Sequence, residues 1–335
     1  MKNKGFKSID FVDDQLVLID QTKLPLTEEY IKTDSVDRIA EAIRKLEVRG
    51  APAIGVAAAY AIALAFKNSD ADKENFERNY NLLASTRPTA VNLFWALDEM
   101  KKCFEENYSA ENIYQILLSK AKEIHQDDID MCNRIAENGS SIFGDSPKNV
   151  LTHCNTGQLA TGGGGTALYV IIKAFEKGLV NHVWVDETRP LLQGSRLTAF
   201  ELEKSGIPFS IITDSTAAML MAQGKIDLAI TGADRIAANG DSANKIGTYS
   251  VAVNCKHHNL PFYIAAPMST IDSSCKSGKD IVIEERSSDE ITKIKNVQVT
   301  KSEYNVYSPA FDVTPAELIS GIITDVDLFK HPFDF

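Results

Sequence analysis

Val150-Leu151-Thr152-His153-Cys154-Asn155 begins as an apolar run and breaks into polar residues, and a helical pattern over 167–177 follows it. The same unit recurs downstream. Short apolar runs stand at 182–185, 209–212, 228–230 and 262–265, with 281–283 as a weaker sixth. Helical segments over 198–204 and 246–258 separate several of them. Strand–helix alternation of this kind predicts a parallel sheet with helices on both faces. In such a sheet ligands bind outside the carboxyl ends of the strands, so the polar loops leaving those ends are where chemistry belongs.

Upstream the rhythm differs. Two short strand-like runs, 8–12 and 16–19, precede a helix that Asp34 or Ser35 can cap, with Ile39, Ile43 and Leu46 on one face. The turn Arg49-Gly50-Ala51-Pro52 leads into an apolar helix over 51–66, and Arg87-Pro88 precedes another helix beginning near Thr89. A long helical pattern runs from about 109 to 142 before Gly144-Asp145-Ser146-Pro147 breaks it. The expected organisation is therefore α/β, with a smaller, mainly helical N-terminal domain over 1–145 and a parallel-sheet domain over 146–335. Two domains also suit a chain of 335 residues at about 150 residues each.

Composition narrows the function. The chain carries 35 Lys+Arg against 46 Asp+Glu, a formal net charge of −11, which argues against nucleic acid or an anionic membrane as partner. The apolar stretch over 51–66 is shorter than the ~20 residues a membrane span needs and contains Pro52. The N-terminus lacks the apolar run and cleavage site of a signal peptide. The five cysteines (Cys103, Cys132, Cys154, Cys255 and Cys275) show no CxxC spacing, so a reduced, cytoplasmic protein without disulfides or a zinc knuckle is expected.

The strand-end loops hold the candidates. Gly162-x-Gly164-x-x-Ala167 meets the degenerate dinucleotide fingerprint, with Asp186 at the next strand end, so a nicotinamide dehydrogenase is one alternative. Against it, the seven residues Asn155 to Thr161 intervene where the fingerprint wants an immediate turn, and a flexible strand-to-helix loop is the preferred reading. Cys154 at a strand end is either a nucleophilic or proton-handling thiol or a small buried hydrophobe. His153 is not its obvious partner, because adjacent strand residues face opposite sides. His257-His258 fails as a metal pair for a similar reason. Asp234 in Gly-Ala-Asp-Arg is a general acid or base, or an Asp paired with Arg235. Asn244-Lys245 ahead of a helix reads as an anion site, where helix amides, dipole and ammonium converge.

Together these strings carry more. Arg49-Gly-Ala-Pro-Ala-Ile-Gly-Val, Arg87-Pro-Thr-Ala-Val-Asn-Leu, Thr152-His-Cys-Asn, Asp186-Glu-Thr-Arg-Pro-Leu-Leu-Gln-Gly, Gly232-Ala-Asp-Arg, Asn244-Lys-Ile-Gly-Thr-Tyr and Pro309-Ala-Phe-Asp-Val-Thr-Pro occur in one order. The series resembles the methylthioribose-1-phosphate isomerase family over nearly the whole chain. Relatives of that family include ribose-1,5-bisphosphate isomerase and the regulatory subunits of a eukaryotic translation-initiation exchange factor. The resemblance implies a Rossmann-like domain beside a small helical one, a homodimer, no cofactor and no metal. It implies Cys154 and Asp234 as the catalytic pair, and Arg49, Gly50, Ala51, Arg87, Gln193, Asn244 and Lys245 as contacts to a small sugar phosphate.

The implied reaction converts S-methyl-5-thioribose 1-phosphate to S-methyl-5-thioribulose 1-phosphate in methionine salvage. One departure bears on it: Leu159-Ala-Thr-Gly-Gly-Gly-Gly-Thr-Ala stands where the family usually reads Leu-Ala-Thr-Ala-Gly-Tyr-Gly-Thr-Ala, so Gly164 replaces a tyrosine. Two alternatives stay open: a 5-deoxyribose 1-phosphate isomerase, and a non-catalytic sugar-phosphate-sensing regulatory subunit.

Overall fold

The computed structural model describes residues 5–69, 71–88 and 90–335. Packing divides the chain into two compact units, one holding 5–132 and 157–165, the other 133–156 and 166–335. The break expected at 145/146 and this division at 132/133 differ because one long helix runs across both regions, and only its first part packs with the helical unit.

In the helical unit, strands β1 (Ile9–Val12), β2 (Gln15–Ile19) and β3 (Tyr30–Thr33) form an antiparallel meander. Helices α1 (Val36–Arg44), α2 (Ala51–Leu64), α3 (Lys73–Ala84), α4 (Val91–Glu106) and the first part of α5 (Ile113–Gly139) follow. Ser35 caps α1, its Oγ accepting from the Arg38 amide at 3.3 Å. Leu46 lies beyond the end of α1 at φ 59°, rather than on its apolar face. Helix α2 is buried all round from residue 53 to 64, which is why it is apolar on every side and forms the centre of this core. Thr89, where the fourth helix was expected to begin, lies outside the described residues; α4 is described from Val91.

The second unit carries β4 (Lys148–Thr152), α6 (Ala167–Glu176), β5 (Val180–Asp186), α7 (Ala199–Ser205), β6 (Phe209–Ile212), α8 (Ala217–Ala222) and β7 (Leu228–Thr231). After these come β8 (Arg235–Ala237), β9 (Ser242–Lys245), α9 (Thr248–His257), β10 (Phe262–Ala265) and β11 (Ile271–Asp272). The chain ends with α10 (Asp289–Thr292), β12 (Lys293–Ile294), β13 (Val297–Gln298), β14 (Phe311–Thr314), β15 (Gly321–Ile323) and β16 (Leu328–Phe329).

The main sheet has the order β16-β15-β10-β7-β4-β5-β6, and every pairing is parallel except that of β15 with β16. Counted along the chain, its six parallel strands run 3-2-1-4-5-6, the doubly wound arrangement, whose order reverses between β4 and β7. The expected parallel α/β sheet is thus present. Its sixth parallel strand is β15; residues 281–283 form no strand, with Ile281 buried and Val282 89% exposed. The stretch from Asp234 to Lys245 is a hairpin of β8 and β9, joined by β11 and β14 in a second sheet. Among the described residues no helix is long and apolar enough to cross a membrane.

Candidate active site

Cys154 and Asp234 leave the carboxyl ends of the two strands that flank the reversal of strand order. Strand β4 pairs with β7 through Val150↔Leu228 and Leu151↔Ala229, and the Thr152 hydroxyl donates to the Ile230 carbonyl at 2.9 Å. Cys154 follows two residues beyond Thr152, buried, at φ 65°. Asp234 follows β7 in a bend and is exposed, its amide donating to the Ala243 carbonyl at 2.8 Å. Arg235 reaches Asp272 at 3.8 Å. A buried thiol and an exposed carboxylate at one switch point are two unlike proton-handling groups where a doubly wound sheet binds its ligand.

The β5 loop fixes the cysteine. The Cys154 amide donates to Thr188 Oγ1 at 2.8 Å, the Thr188 hydroxyl donates to the Asp186 carbonyl at 3.0 Å, and the Thr198 hydroxyl donates to the Cys154 carbonyl at 2.6 Å. Thr188 and Leu192 also sit at positive φ, 64° and 59°. Thr188, β-branched, is a genuine outlier there, and with Cys154 after β4 and Leu192 further along the β5 loop it marks a backbone held against its preference. Gln193, 5% exposed, enters a wide π-type turn over Gly194–Thr198, and its buried Oε1 accepts no hydrogen bond from the described residues. A buried acceptor left open in this way suits a bound hydroxyl group.

Asn244 and Lys245 end β9. Asn244 Nδ2 donates to Thr248 Oγ1 at 2.9 Å; Lys245 Nζ donates to the Ala310 carbonyl at 2.8 Å and lies 4.6 Å from the centre of the Phe311 ring. The expected use of helix amides for an anion is corrected here. The amides of Gly247 and Tyr249 donate to the two oxygens of Asp312 at 2.7 and 3.0 Å, so the chain's own carboxylate closes the start of α9. Burial pushes the Asp312 carboxyl up from its usual range, against the pull of those two amides.

His153, between Thr152 and Cys154, is 1% exposed. Its Nδ1 lies 2.9 Å from Asp186 Oδ2, and its Nε2 lies 2.9 Å from the Ile246 carbonyl. Burial pulls the imidazole down, but the hydrogen bond and charge of Asp186 outweigh it and the net shift is upward. Burial pushes the Asp186 carboxyl up to about 6, with His153 acting the other way. Asp214 accepts the amides of Thr188 and Arg189, both at 2.7 Å, and so holds the β5 loop from the side of β6.

Arg49, Gly50, Ala51 and Arg87 belong to the helical unit. Gly50 caps α2 at φ 91°, and a Cβ there would fall 2.3 Å from the Ala160 carbonyl oxygen. The early turns of α2 and α4 touch, since a Cβ on Gly55 would lie 2.8 Å from the Asn92 carbonyl oxygen. That contact carries Arg49 and Arg87 to the same end of the helical unit.

The glycine run also lies in this unit and is not a flexible loop. Its base is closed by the Thr166 amide donating to the Thr156 carbonyl at 2.7 Å. Asp128 Oδ2 accepts the amides of Gly162 and Gly163 at 2.6 and 3.2 Å, and His125 Nε2 meets the Gly162 carbonyl at 3.0 Å. Gln21 and Ser8 donate to the carbonyls of Leu159 and Thr161. Gly163 is there for space: a Cβ would come within 2.8 Å of Ile129 Cα.

Cys154, Gln193, Asn244, Lys245 and Asp234 thus belong to one unit, and hydrogen bonds through Thr188, Asp186, His153 and Ile246 connect the Cys154 strand end to the turn after Lys245. The residues that sequence reasoning missed are those that bind the loops together: His153 with Asp186, Thr188, Asp214 and Asp312. A signal existed for Asp186 and Asp214, since each is the first acidic residue after an apolar run.

The Initiation factor 2 subunit family profile matches residues 47–331. A methylthioribose-1-phosphate isomerase of Caldicellulosiruptor saccharolyticus is 51% identical over 333 residues, covering 98% of this chain and 97% of that protein. The crystal structure of 5-methylthioribose 1-phosphate isomerase from Pyrococcus horikoshii OT3 superposes with a TM-score of 0.93 at 42% identity, covering 99% of this chain and 94% of that one. The crystal structure of translation initiation factor eIF-2B, subunit delta, from A. fulgidus superposes at 0.90 with 43% identity, covering 98% and 97%.

Proposed function

We propose, from the premise that the chain belongs to the Initiation factor 2 subunit family, that it is an aldose–ketose isomerase acting on S-methyl-5-thioribose 1-phosphate and forming S-methyl-5-thioribulose 1-phosphate. The observation that carries this reading within the fold is the pair at the switch point, Cys154 after β4 and Asp234 after β7. A sensing module needs neither group.

The substrate accounts for two unlike groups. A phosphate on C1 prevents ordinary ring opening to an aldehyde, so the bond between C1 and the ring oxygen must break directly. The ring oxygen gains a proton, the C2 hydroxyl loses one, and the hydrogen on C2 moves to C1. Each positioned proton transfer contributes typically about 10²–10⁴-fold. Asp234 and Cys154 are assigned these two transfers. Transfer of hydrogen within the substrate needs no external redox partner, so no cofactor enters the scheme. By the family resemblance, Arg49, Gly50, Ala51, Arg87, Gln193, Asn244 and Lys245 are assigned as contacts to the sugar phosphate. The enzyme is proposed to work in the cytoplasm as a homodimer.

Two observations favour second readings. Gly164 in place of a tyrosine leaves the C5 substituent open, which keeps a 5-deoxy sugar as an alternative, and the structural likeness to an eIF-2B subunit favours a sensor. A head-to-head assay of methylthioribose 1-phosphate and 5-deoxyribose 1-phosphate, with ketose formation followed by NMR, separates all three. Preference for the methylthio sugar is expected. Equal or reversed preference assigns the enzyme to 5-deoxyribose disposal, and turnover of neither leaves the sensor. Extensive solvent deuterium at C1 would rule out direct hydride transfer.

A further inference from the structure

Counting protons at the His153 ring gives a result that the reaction scheme does not use. A carbonyl oxygen only accepts, so Nε2, at 2.9 Å from the Ile246 carbonyl, must carry a hydrogen. Nδ1 then faces Asp186 Oδ2 at 2.9 Å, and that contact needs a hydrogen of its own. Either the ring is an imidazolium beside a carboxylate, or it is neutral and accepts from a carboxylic acid. Both arrangements hold one proton more than a neutral imidazole beside a carboxylate.

The surroundings favour a proton in that place. Asp186 Oδ1 is buried and accepts no hydrogen bond from the described residues, which leaves a bare carboxylate poorly stabilised. The charged groups facing the ring are Asp186 on β5, Asp214 at the end of β6 and Asp312 on β14, all acidic. His153, Asp186 and Asp214 do offer ligand atoms within 4.8 Å of one another. Those atoms are already committed, since both ring nitrogens are engaged and Asp214 accepts two amides.

We propose that His153 and Asp186 are positioning residues that share one retained proton, and that this proton ties the Cys154 strand end to the turn carrying Asn244 and Lys245. The ring is a spacer between the two. On one side its backbone continues into Cys154, pinned at φ 65°. On the other its Nε2–H holds Ile246, and its Cε1 lies 2.8 Å from where a Cβ on Gly247 would sit, so only glycine lets the turn pack against it. Removing the proton sets a lone pair against a carboxylate or against a carbonyl, and one of the two bonds is lost. The proposal rests on the isomerase reading for its kinetic consequence and on geometry alone for the proton.

The test uses the full chain, labelled with ¹⁵N at histidine and backbone, as wild type, Asp186→Asn and Asp186→Ala. Asn keeps a neutral donor opposite Nδ1; Ala removes it. In wild type, the His153 ring is expected to keep its held proton at pH 8, and Asp186→Ala is expected to shift the amide signals of Cys154 and Gly247. Asp186→Asn is expected to restore those signals and to keep most of kcat/KM, while Asp186→Ala loses on the order of tenfold or more through misplacement. The alkaline limb of the pH–rate profile is expected to weaken in Asp186→Asn. A His153 ring that titrates at its ordinary value of about 6.5, or an Asn variant as damaged as the Ala variant, overturns the proposal. Turnover of neither sugar phosphate by a wild type that holds the proton overturns the isomerase reading and leaves the pair standing. An active wild type without the proton does the reverse.

Discussion

Cys154 is held in a left-handed conformation that cysteine does not prefer, and the hydroxyls of Thr188 and Thr198 bind its amide and carbonyl. The sulfur is therefore aimed by its backbone, and the two hydroxyls do the holding. Replacing it changes the chemistry while leaving these bonds in place. Cys154→Ser and Asp234→Asn are each expected to lose most turnover in the ketose assay while circular dichroism stays that of the parent; near-normal activity in either removes that residue from the scheme.

Asp128 adds a pH response of stability of its own. Burial pushes the Asp128 carboxyl up to about 6, above its ordinary 3.8, against the lowering effect of the Gly162 and Gly163 amides. The folded chain then keeps this proton where the unfolded chain has lost it. Stability is expected to rise as pH falls from about 6 towards 4, by on the order of 3 kcal/mol from this group. Denaturant titrations of wild type and Asp128→Asn across that window check it: the difference between them should shrink or reverse as pH falls, and a constant difference refutes it.

At the scale of elements, the segment 157–165 behaves as a fitted strap of the helical unit. Gly163→Ala is expected to cost about 1–3 kcal/mol, since the new methyl meets Ile129 backbone and the Cys132 side chain. Gly5→Ala, with nothing within 4 Å, is the control, and equal melting temperatures for the two variants would contradict the packing. This strap was invisible in the sequence, because four consecutive glycines look the same whether they flex or fill a tight space. The strands β4, β5, β6, β7 and β10 were legible, since strands in a parallel sheet are covered on both faces and read as unbroken apolar runs. Strand β15 was not, having three residues and opening on Gly321. Residues 281–283 misled because apolar character without a ladder partner is no strand. Cys154 and Asp234 could be read as residues at strand ends. The His153–Asp186 contact joins positions 33 apart, and Asp312 closes a helix 65 residues upstream; periodicity has no access to either.

At the scale of the whole molecule, a sugar phosphate that binds only the folded chain must stabilise it by mass action. At a free concentration of about 100 times Kd, unfolding is expected to cost about 2.7 kcal/mol more, measured by denaturant titration. Inorganic phosphate alone should protect less, because it leaves Gln193 Oε1 without a partner; equal protection by both would remove the sugar from recognition. The closed base of the strap has a consequence for biosynthesis. A ribosome that has released the first 132 residues has released a helical core still missing its last piece. Gln21 and Asp128 then wait, undocked, for partners encoded after the first strand of the other unit. Emergence of the nascent chain, and with it the work of chaperones, therefore has to continue past residue 165 before either half is complete.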